Sequence, residues 1–399
     1  TIVVCRADVD IKGIADSDLS FCGYVTDWLE NFSVQIPYRA LRPVEYDNVL
    51  VVGKAISVDH DTLALARMQR DLMAMGGAAG LAAAQSVGKN KPLSEIDIKA
   101  LQKGLIRLGV LSDEDLSTIA GVEGSALPRI GSTQLKHMVD QLTVDKLKLM
   151  DKVSLLVRPD LSLPLLKEAL GNAAGSGRIE VGEALCFLGD RQGADVLLGE
   201  LEQSLKTPGL STKTHVVKMR HGSPDHASAP EMTYWVNSLG RSGDSRVIPF
   251  MTEIAKRVEM DAHKSDAMFN YVYSICYDAE RLADPECIQA LTLLAKKKGI
   301  SGSLRPIGTD PRRTGKGRIS IVEDRYAYLE LCIGRALARC GSKRGYRILI
   351  GYLTDIRGFL ARSAHEELTA LSRRDFSHDI QAWSRWLKDA TVSPIRYTR

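Results

Sequence analysis

The pattern of hydrophobic and polar positions changes character near residue 60. Before it, residues 1–5 alternate weakly, residues 33–36 lead into Pro37, and Asn48–Val52 forms a short apolar run. A run of this length between turn residues predicts a strand that is buried on both faces. After residue 60, apolar residues recur at helical spacing almost throughout, so the sequence predicts a mainly α protein with a small α/β piece at its N-terminus.

The first long helical stretch, residues 63–87, is unusually rich in small residues. It contains Gly76, Gly77 and Gly80. Each glycine inside a helix costs about 1 kcal/mol relative to alanine. We therefore expect this helix to lie very close to a sheet or to a ligand.

In the second half of the chain a pattern of helix, tight glycine turn and helix recurs. Three copies lie at residues 184–198, 237–250 and 336–350, and a weaker one at residues 284–291. Spacings of roughly 40 to 55 residues are typical of HEAT-like repeats, whose helix pairs bury their apolar faces by stacking. The small-residue linker 121–131 predicts a division into domains 1–120 and 121–399.

Composition and charge narrow the class of protein further. The chain has 399 residues, of which 44% are hydrophobic, which is enough for a sizeable core. No apolar stretch is long enough to cross a bilayer, so we expect a soluble protein without a membrane partner. The sequence does not indicate a compartment. The net charge is +4, and residues 301–399 hold about twice as many Lys and Arg as Asp and Glu. This is typical of a solvated Arg-rich face, and less often of a surface for an acidic protein or a nucleic acid.

Cysteine and histidine usage predicts neither disulfides nor a metal site. The seven cysteines are odd in number and never spaced as C-x-x-C, so we expect mostly buried thiols. His215, His221 and His226 fall in an insertion, residues 207–231, without the close spacing of metal ligands. A second insertion, residues 299–318, is rich in Gly, Arg and Lys but lacks a phosphate-loop pattern. We predict that both insertions are surface loops.

Three segments carry a resemblance to a known family. They are Gln35–Leu41 (QIPYRAL), Asn48–Ser57 (NVLVVGKAIS) and Met75–Gly80 (MGGAAG). In this order and spacing, residues 15–112 resemble the C-terminal section of FAD-dependent oxidoreductases. The resemblance implies FAD as the cofactor and a flavin-binding fold for the α/β piece.

The resemblance also implies site residues. For the cofactor they are Gly53, Lys54, Ala55, Ile56, Ser57, Arg67, Met68 and Gly76; for a small-molecule substrate they are Tyr38 and Arg39. From the residues themselves, Ser57 offers a hydroxyl to a ribityl or phosphate oxygen. A helix beginning near residues 68–72 would direct free N–H groups at the negative charge of a reduced flavin.

Two of these residues have alternative interpretations. His60, between two aspartates, is the candidate general base because its imidazole would titrate near neutral pH, but a capping or solvent-exposed His fits equally well. Tyr38 and Arg39 would bind substrate, whereas Tyr38 would equally pack beneath the turn that follows Pro37.

The dinucleotide fingerprint G-x-G-x-x-G does not occur in the sequence. We therefore expect the chain to be the C-terminal part of an FAD-dependent oxidoreductase, whose missing N-terminal portion binds most of the dinucleotide. The resemblance implies removal of a hydride from an alcohol, amine or sugar-like C–H group. The alternative is a helical-repeat scaffold that binds a protein partner without catalysis, and nucleic-acid binding is a weaker third interpretation.

Overall fold

The computed structural model describes residues 1–6, 17–24, 33–117, 130–143, 149–213, 229–260, 265–308 and 321–397. These residues form two compact units. The first unit contains described residues 1–6, 17–24, 33–117, 130–141 and 149–165, and the second contains 142–143, 166–213, 229–260, 265–308 and 321–397. The predicted boundary at residues 120 and 121 lies outside the described residues and stays a prediction.

The first unit contains a small sheet and short helices. Strands β1 (Val3–Cys5) and β2 (Val34–Ile36) pair antiparallel, with Val3 opposite Ile36. The helices are α1 (Asp18–Phe21), α2 (His60–Ala66), α3 (Gln69–Lys89), α4 (Ile98–Arg107), α5 (Asp113–Ser117), α6 (Ser132–Leu142) and α7 (Leu149–Leu156). Single turns of 3-10 helix span Tyr38–Leu41, Gly53–Ala55 and Leu93–Glu95.

Helix α3 packs against β1 through one face. Met75, Ala78 and Ala82, spaced three and four residues apart, are almost completely buried there. The glycines at 76, 77 and 80 have open space around them, since a Cβ built on any of them meets no other atom of the chain within 4 Å. The close approach expected at these glycines is therefore absent among the described residues.

The prediction of a buried strand at Asn48–Val52 is wrong. The segment has no regular structure, and Val49 and Val52 are 39% and 40% exposed. Its backbone is anchored where the Val51 N–H donates to the Leu41 carbonyl at 2.8 Å. A strand needs a neighbouring strand to satisfy its backbone groups, and the described sheet pairs only β1 with β2.

The second unit is helical, apart from one isolated β-bridge among its described residues. Its helices are α8 (Pro159–Asn172, which begins in the first unit), α9 (Gly175–Phe187), α10 (Ala194–Leu205), α11 (Glu231–Ser242), α12 (Ile248–Arg257), α13 (Ser265–Leu282), α14 (Cys287–Leu294), α15 (Ile321–Arg339), α16 (Lys343–Tyr352), α17 (Gly358–Ser372) and α18 (Ile380–Asp389). Helices α9 to α16 follow one another as four pairs; the two helices of a pair pack together in α9/α10, α13/α14 and α15/α16, and α9, α11, α13 and α15 also pack in sequence. The prediction of a mainly α protein with a small α/β piece is confirmed, whereas the HEAT-like assignment stays a prediction.

The four pairs share one type of turn. The first helix of each pair ends at a residue in the left-handed region: Gly189 (φ +85°), Gly243 (φ +75°), Ala283 (φ +50°) and Gly341 (φ +82°). At the three glycines, the backbone N–H groups of the glycine and of the next residue bond back to the last turn of the helix, as in a Schellman motif. At Ala283 a single bond of 2.9 Å runs from its N–H to the Ala279 carbonyl.

A side-chain cap follows the left-handed residue. Asp190, Asp244 and Asp284 each accept a hydrogen bond from the backbone N–H two residues later, at 2.9, 3.0 and 2.9 Å. These carboxylates occupy the N-terminal side of the next helix, where the helix dipole favours negative charge. The weak fourth copy of the sequence pattern therefore has the same cap as two of the other three, with alanine in place of glycine, whereas Ser342 after Gly341 makes no side-chain cap bond.

All seven cysteines are free and buried, as the sequence predicted: Cys5, Cys22, Cys186, Cys276, Cys287, Cys332 and Cys340. Burial raises the pKa of the Cys5, Cys186 and Cys332 thiols to about 12. No helix among the described residues combines the length and apolar character that crossing a bilayer requires. The three histidines of the first insertion and the Gly315–Arg318 segment of the second lie outside the described residues.

A carboxyl group is buried between α11 and α13. Asp278 is fully buried, and neither of its oxygens has a hydrogen-bond partner among the described residues. Its carboxyl lies against the Cα of Gly240, where any side chain on α11 would overlap it. Burial raises the pKa of Asp278 well above its usual range, although Arg281 acts in the opposite direction.

We expect Ala283→Gly to stabilise the second unit by about 0.5–1 kcal/mol, because glycine adopts a left-handed backbone without the steric cost that alanine has. Gly189→Ala is the matched opposite change, since a Cβ there meets no other atom within 4 Å and only the backbone strain changes. Urea denaturation followed by circular dichroism measures both. Equal stability of the two variants would contradict this account of the turns.

We expect Asp278→Asn to remove a pH dependence of stability. Because the pKa is raised in the folded state, stability is greatest below the pKa of the unfolded carboxyl, about 3.9, and falls as the pH rises toward the folded value. From pH 4 to pH 7 the native chain should lose at least about 1 kcal/mol more than the variant. Denaturation at both pH values tests this, and parallel profiles would show that Asp278 does not titrate as described.

Candidate functional site

A pocket of about 730 Å³ opens beside β2 in the first unit. We call it the Arg39–Arg42 pocket. Its polar lining consists of Gln35, Arg39, Arg42, Ser57, Asp59 and Thr62. It therefore brings together two residues that the sequence assigned to different ligands, Arg39 to substrate and Ser57 to cofactor.

Local backbone geometry explains why the two arginines meet. Pro37 has an extended backbone and precedes the 3-10 turn Tyr38–Leu41. In a 3-10 helix, side chains three residues apart lie on the same side, so Arg39 and Arg42 face the same space. The Ser57 N–H donates to the Ala40 carbonyl at 3.0 Å, and this bond fixes the Ser57 segment alongside the turn.

The pocket has an excess of positive charge. Neither the Arg39 nor the Arg42 guanidinium forms an ion pair or a side-chain hydrogen bond with another described residue. The carboxylate of Asp59 is engaged as the cap of α2, where it accepts hydrogen bonds from the Thr62 backbone N–H and hydroxyl, both at 2.7 Å. Two guanidinium groups without carboxylate partners favour the binding of an anion such as phosphate or carboxylate.

Tyr38 packs beneath this turn and does not line the pocket. It is 7% exposed, and its hydroxyl donates to the Leu93 carbonyl at 3.0 Å. Burial raises the pKa of the Tyr38 hydroxyl, while Arg42 acts to lower it. These contacts agree with the interpretation that Tyr38 packs beneath the turn after Pro37, which was the alternative to substrate binding.

His60 begins helix α2 next to the pocket without lining it. Its Nδ1 lies 3.1 Å from Oδ1 of Asp61, which is buried. Asp61 also accepts hydrogen bonds from the Ser20 hydroxyl at 2.7 Å and the Ser17 N–H at 3.0 Å. Burial alone would raise the pKa of Asp61, but the hydrogen bonds from His60, Ser20 and Ser17 lower it below its usual value. The Asp61 carboxylate thus holds the imidazole ring in place.

The other predicted cofactor residues lie outside the pocket. A 3-10 turn contains Gly53 (φ +76°), Lys54 and Ala55, and the last two are exposed. Ile56, which follows, is buried in the core. Arg67, Met68 and Gly76 follow along α2 and α3, and each is partly exposed. The structure therefore groups Arg39 and Ser57, and it adds Arg42, which the sequence reasoning missed. The sequence signal for Arg42 was its position three residues after Arg39 within Tyr-Arg-Ala-Leu-Arg.

The first turn of α3 differs from the expected anion site. Met68 provides no side-chain cap, but Asp71 is 2% exposed within that turn. Its Oδ1 lies 3.3 Å from Nε of Arg70, and its Oδ2 has no partner among the described residues. A carboxylate offers only acceptors, so this helix end does not fit the negative charge that a reduced flavin carries at N1 and O2.

Comparison with known proteins gives one match, which covers the N-terminal part of the chain. Residues 1–105 match the model of a family described as FAD dependent oxidoreductase. The match includes every residue of the Arg39–Arg42 pocket and supports an FAD-dependent oxidoreductase region there. None of the curated proteins and none of the solved structures compared with the chain matched it.

We expect Tyr38→Phe to destabilise the first unit by about 1 kcal/mol, because it leaves the buried Leu93 carbonyl without its hydrogen bond. Tyr46→Phe is the matched control, since Tyr46 is 58% exposed. Urea denaturation measures both variants. If the two lost equal stability, the packing role of the Tyr38 hydroxyl would be contradicted.

Proposed function

We propose that residues 1–105 supply part of the flavin site of an FAD-dependent oxidoreductase, and that the Arg39–Arg42 pocket binds the diphosphate of FAD. The observation that carries this proposal is the pair of guanidinium groups that have no ion-pair partner among the described residues and lie inside the region that matches the family. A diphosphate has two negative groups within a few ångströms, and each guanidinium can donate two parallel hydrogen bonds to one of them. The pocket residues therefore fit this part of the cofactor.

Within this proposal the pocket residues have separate roles. Arg39 and Arg42 bind the two phosphate groups, and the Ser57 hydroxyl donates to a phosphate or ribityl oxygen. Arg39 thus contacts the cofactor, although its segment resembles a substrate-binding one. Asp59 sets the position of Thr62 and of the start of α2 at the pocket edge.

FAD, when bound, accepts the hydride that leaves the substrate. In the proposed site His60 is the candidate base. Its Nδ1 lies 3.1 Å from the Asp61 carboxylate, which orients the ring and would stabilise the imidazolium formed when His60 accepts a proton from a substrate hydroxyl or amine. The imidazole is partly exposed, which allows a small-molecule substrate to approach it.

The proposal includes a second portion that binds the rest of the dinucleotide. No G-x-G-x-x-G occurs in the 399 residues, and the first turn of α3 does not fit the negative edge of the flavin. A Gly-rich strand–turn–helix elsewhere would supply the missing backbone N–H groups. On this basis we expect the isolated chain to bind FAD weakly and to be inactive alone.

We expect the chain to bind inorganic pyrophosphate and FAD, with about tenfold weaker affinity for each in Arg39→Ala and in Arg42→Ala, because each change removes one charged hydrogen-bonding partner of the phosphates. Isothermal titration calorimetry measures pyrophosphate, and quenching of flavin fluorescence measures FAD.

Arg107→Ala is the matched control, because Arg107 is exposed on α4 and lies outside the pocket. It should bind both ligands as the native chain does. Equal affinities in all three variants, or no binding of either ligand by the native chain, would contradict the assignment of this pocket.

A further inference from the structure

A short C-terminal segment lies across the turns of the second unit. We call Val392–Tyr397 the C-terminal strap. It follows α18, the last helix, and runs back past earlier helix pairs: Pro394 lies beside Gly341, Arg396 beside Gly243, and Tyr397 beside the end of α13. The strap therefore contacts the C-terminal ends of α15, α11 and α13.

The strap is bound through its backbone. The Ile395 N–H donates to the Arg339 carbonyl at 2.8 Å, and the Arg339 guanidinium donates to the Ile395 carbonyl at 3.4 Å. Two residues further on, the Tyr397 N–H donates to the Glu280 carbonyl at 2.8 Å. Bonding at alternate residues is the pattern by which an added strand binds to a protein edge.

The side chain of Tyr397 is held by two arginines. Its ring centroid lies 4.6 Å from Cζ of Arg339 and 5.4 Å from Cζ of Arg281. Stacking of guanidinium groups on an aromatic face is a cation–π interaction, which selects Tyr, Trp or Phe at this position.

The surface beneath the strap is organised independently of it. Arg339 pairs with the buried Glu367, Nη2 to Oε2 at 3.1 Å, and Arg335 pairs with Glu280, Nη2 to Oε2 at 3.0 Å. These ion pairs join α13, α15 and α17. None of these ion pairs involves a strap residue.

The strap itself is held by few contacts. Thr391 and residues 393–396 are exposed, and only Val392 and Tyr397 are partly buried. Segments with so little buried surface open at low free-energy cost while the rest of the fold stays intact. Detachment of the strap would leave the helix pairs folded and uncover the backbone and arginine groups described above.

We propose that the surface beneath the C-terminal strap is a binding groove for a segment of a partner protein that carries an aromatic residue in the position of Tyr397, and that the strap is its intramolecular competitor. The strap shows which chemistry the groove accepts, namely Ile395-Arg396-Tyr397. A competitor on the same chain lowers the apparent affinity for any partner by the fraction of time that the groove is open. The partner peptide therefore binds only when the strap is displaced.

The test uses the full chain carrying Ile395→Pro and Tyr397→Ala, which removes a backbone donor and the stacked ring from the strap. The probe is a fluorescent peptide with the sequence of residues 391–397, Thr-Val-Ser-Pro-Ile-Arg-Tyr, followed by fluorescence anisotropy. We expect it to bind the double variant at least about tenfold more tightly than the native chain.

Three controls make the result specific. Ser393→Ala, in an exposed strap residue, should behave as the native chain, and Tyr397→Phe should also do so because the ring is kept. A probe with alanine at the tyrosine position should not bind the double variant. Equal affinity of the probe for the native chain and the double variant, or no binding to either while circular dichroism shows both folded, would overturn the proposal.

Discussion

The helical unit depends on one backbone constraint, the left-handed residue that ends the first helix of each pair. That residue reverses the direction of the chain within a few positions. The backbone N–H groups at the end of the helix then donate hydrogen bonds to carbonyls of its last turn. The aspartates that follow at three of the turns then cap the next segment. Because the turns are short and similar, the first helices of consecutive pairs lie side by side. The C-terminal strap crosses two of these turns, at Gly341 and Gly243.

In the first unit, the corresponding constraint is electrostatic. The 3-10 turn Tyr38–Leu41 places two guanidinium groups on one side of the backbone without a carboxylate to neutralise them. Tyr38 anchors the turn from beneath through its hydrogen bond to the Leu93 carbonyl, so the backbone that carries the two arginines is tied to the core. Like charges held together in this way are relieved by an anion, and in the proposed function that anion is the diphosphate of FAD.

The sequence predicted the class of fold well, because helical periodicity and glycine turns are local signals. It even located the weak fourth turn, although Ala283 replaces the glycine there. It failed at Asn48–Val52, since an apolar run specifies burial but not the strand that must lie beside it. It also expected close packing at Gly76, Gly77 and Gly80, whose open face no local pattern could reveal. The sequence assigned Arg39 to a substrate and Ser57 to the cofactor, and only the tertiary structure shows that the two share a pocket with Arg42.

The distribution of buried thiols has a practical consequence. Cys5 and Cys22 lie in the first unit and the other five cysteines in the second, and none is paired in a disulfide. A thiol reacts with an alkylating reagent only as an accessible thiolate, so modification of any of them requires a local or global opening of the surrounding structure. Mass spectrometry of alkylated peptides therefore reports separately on the opening of each unit, with native side chains as the probes and no engineered label.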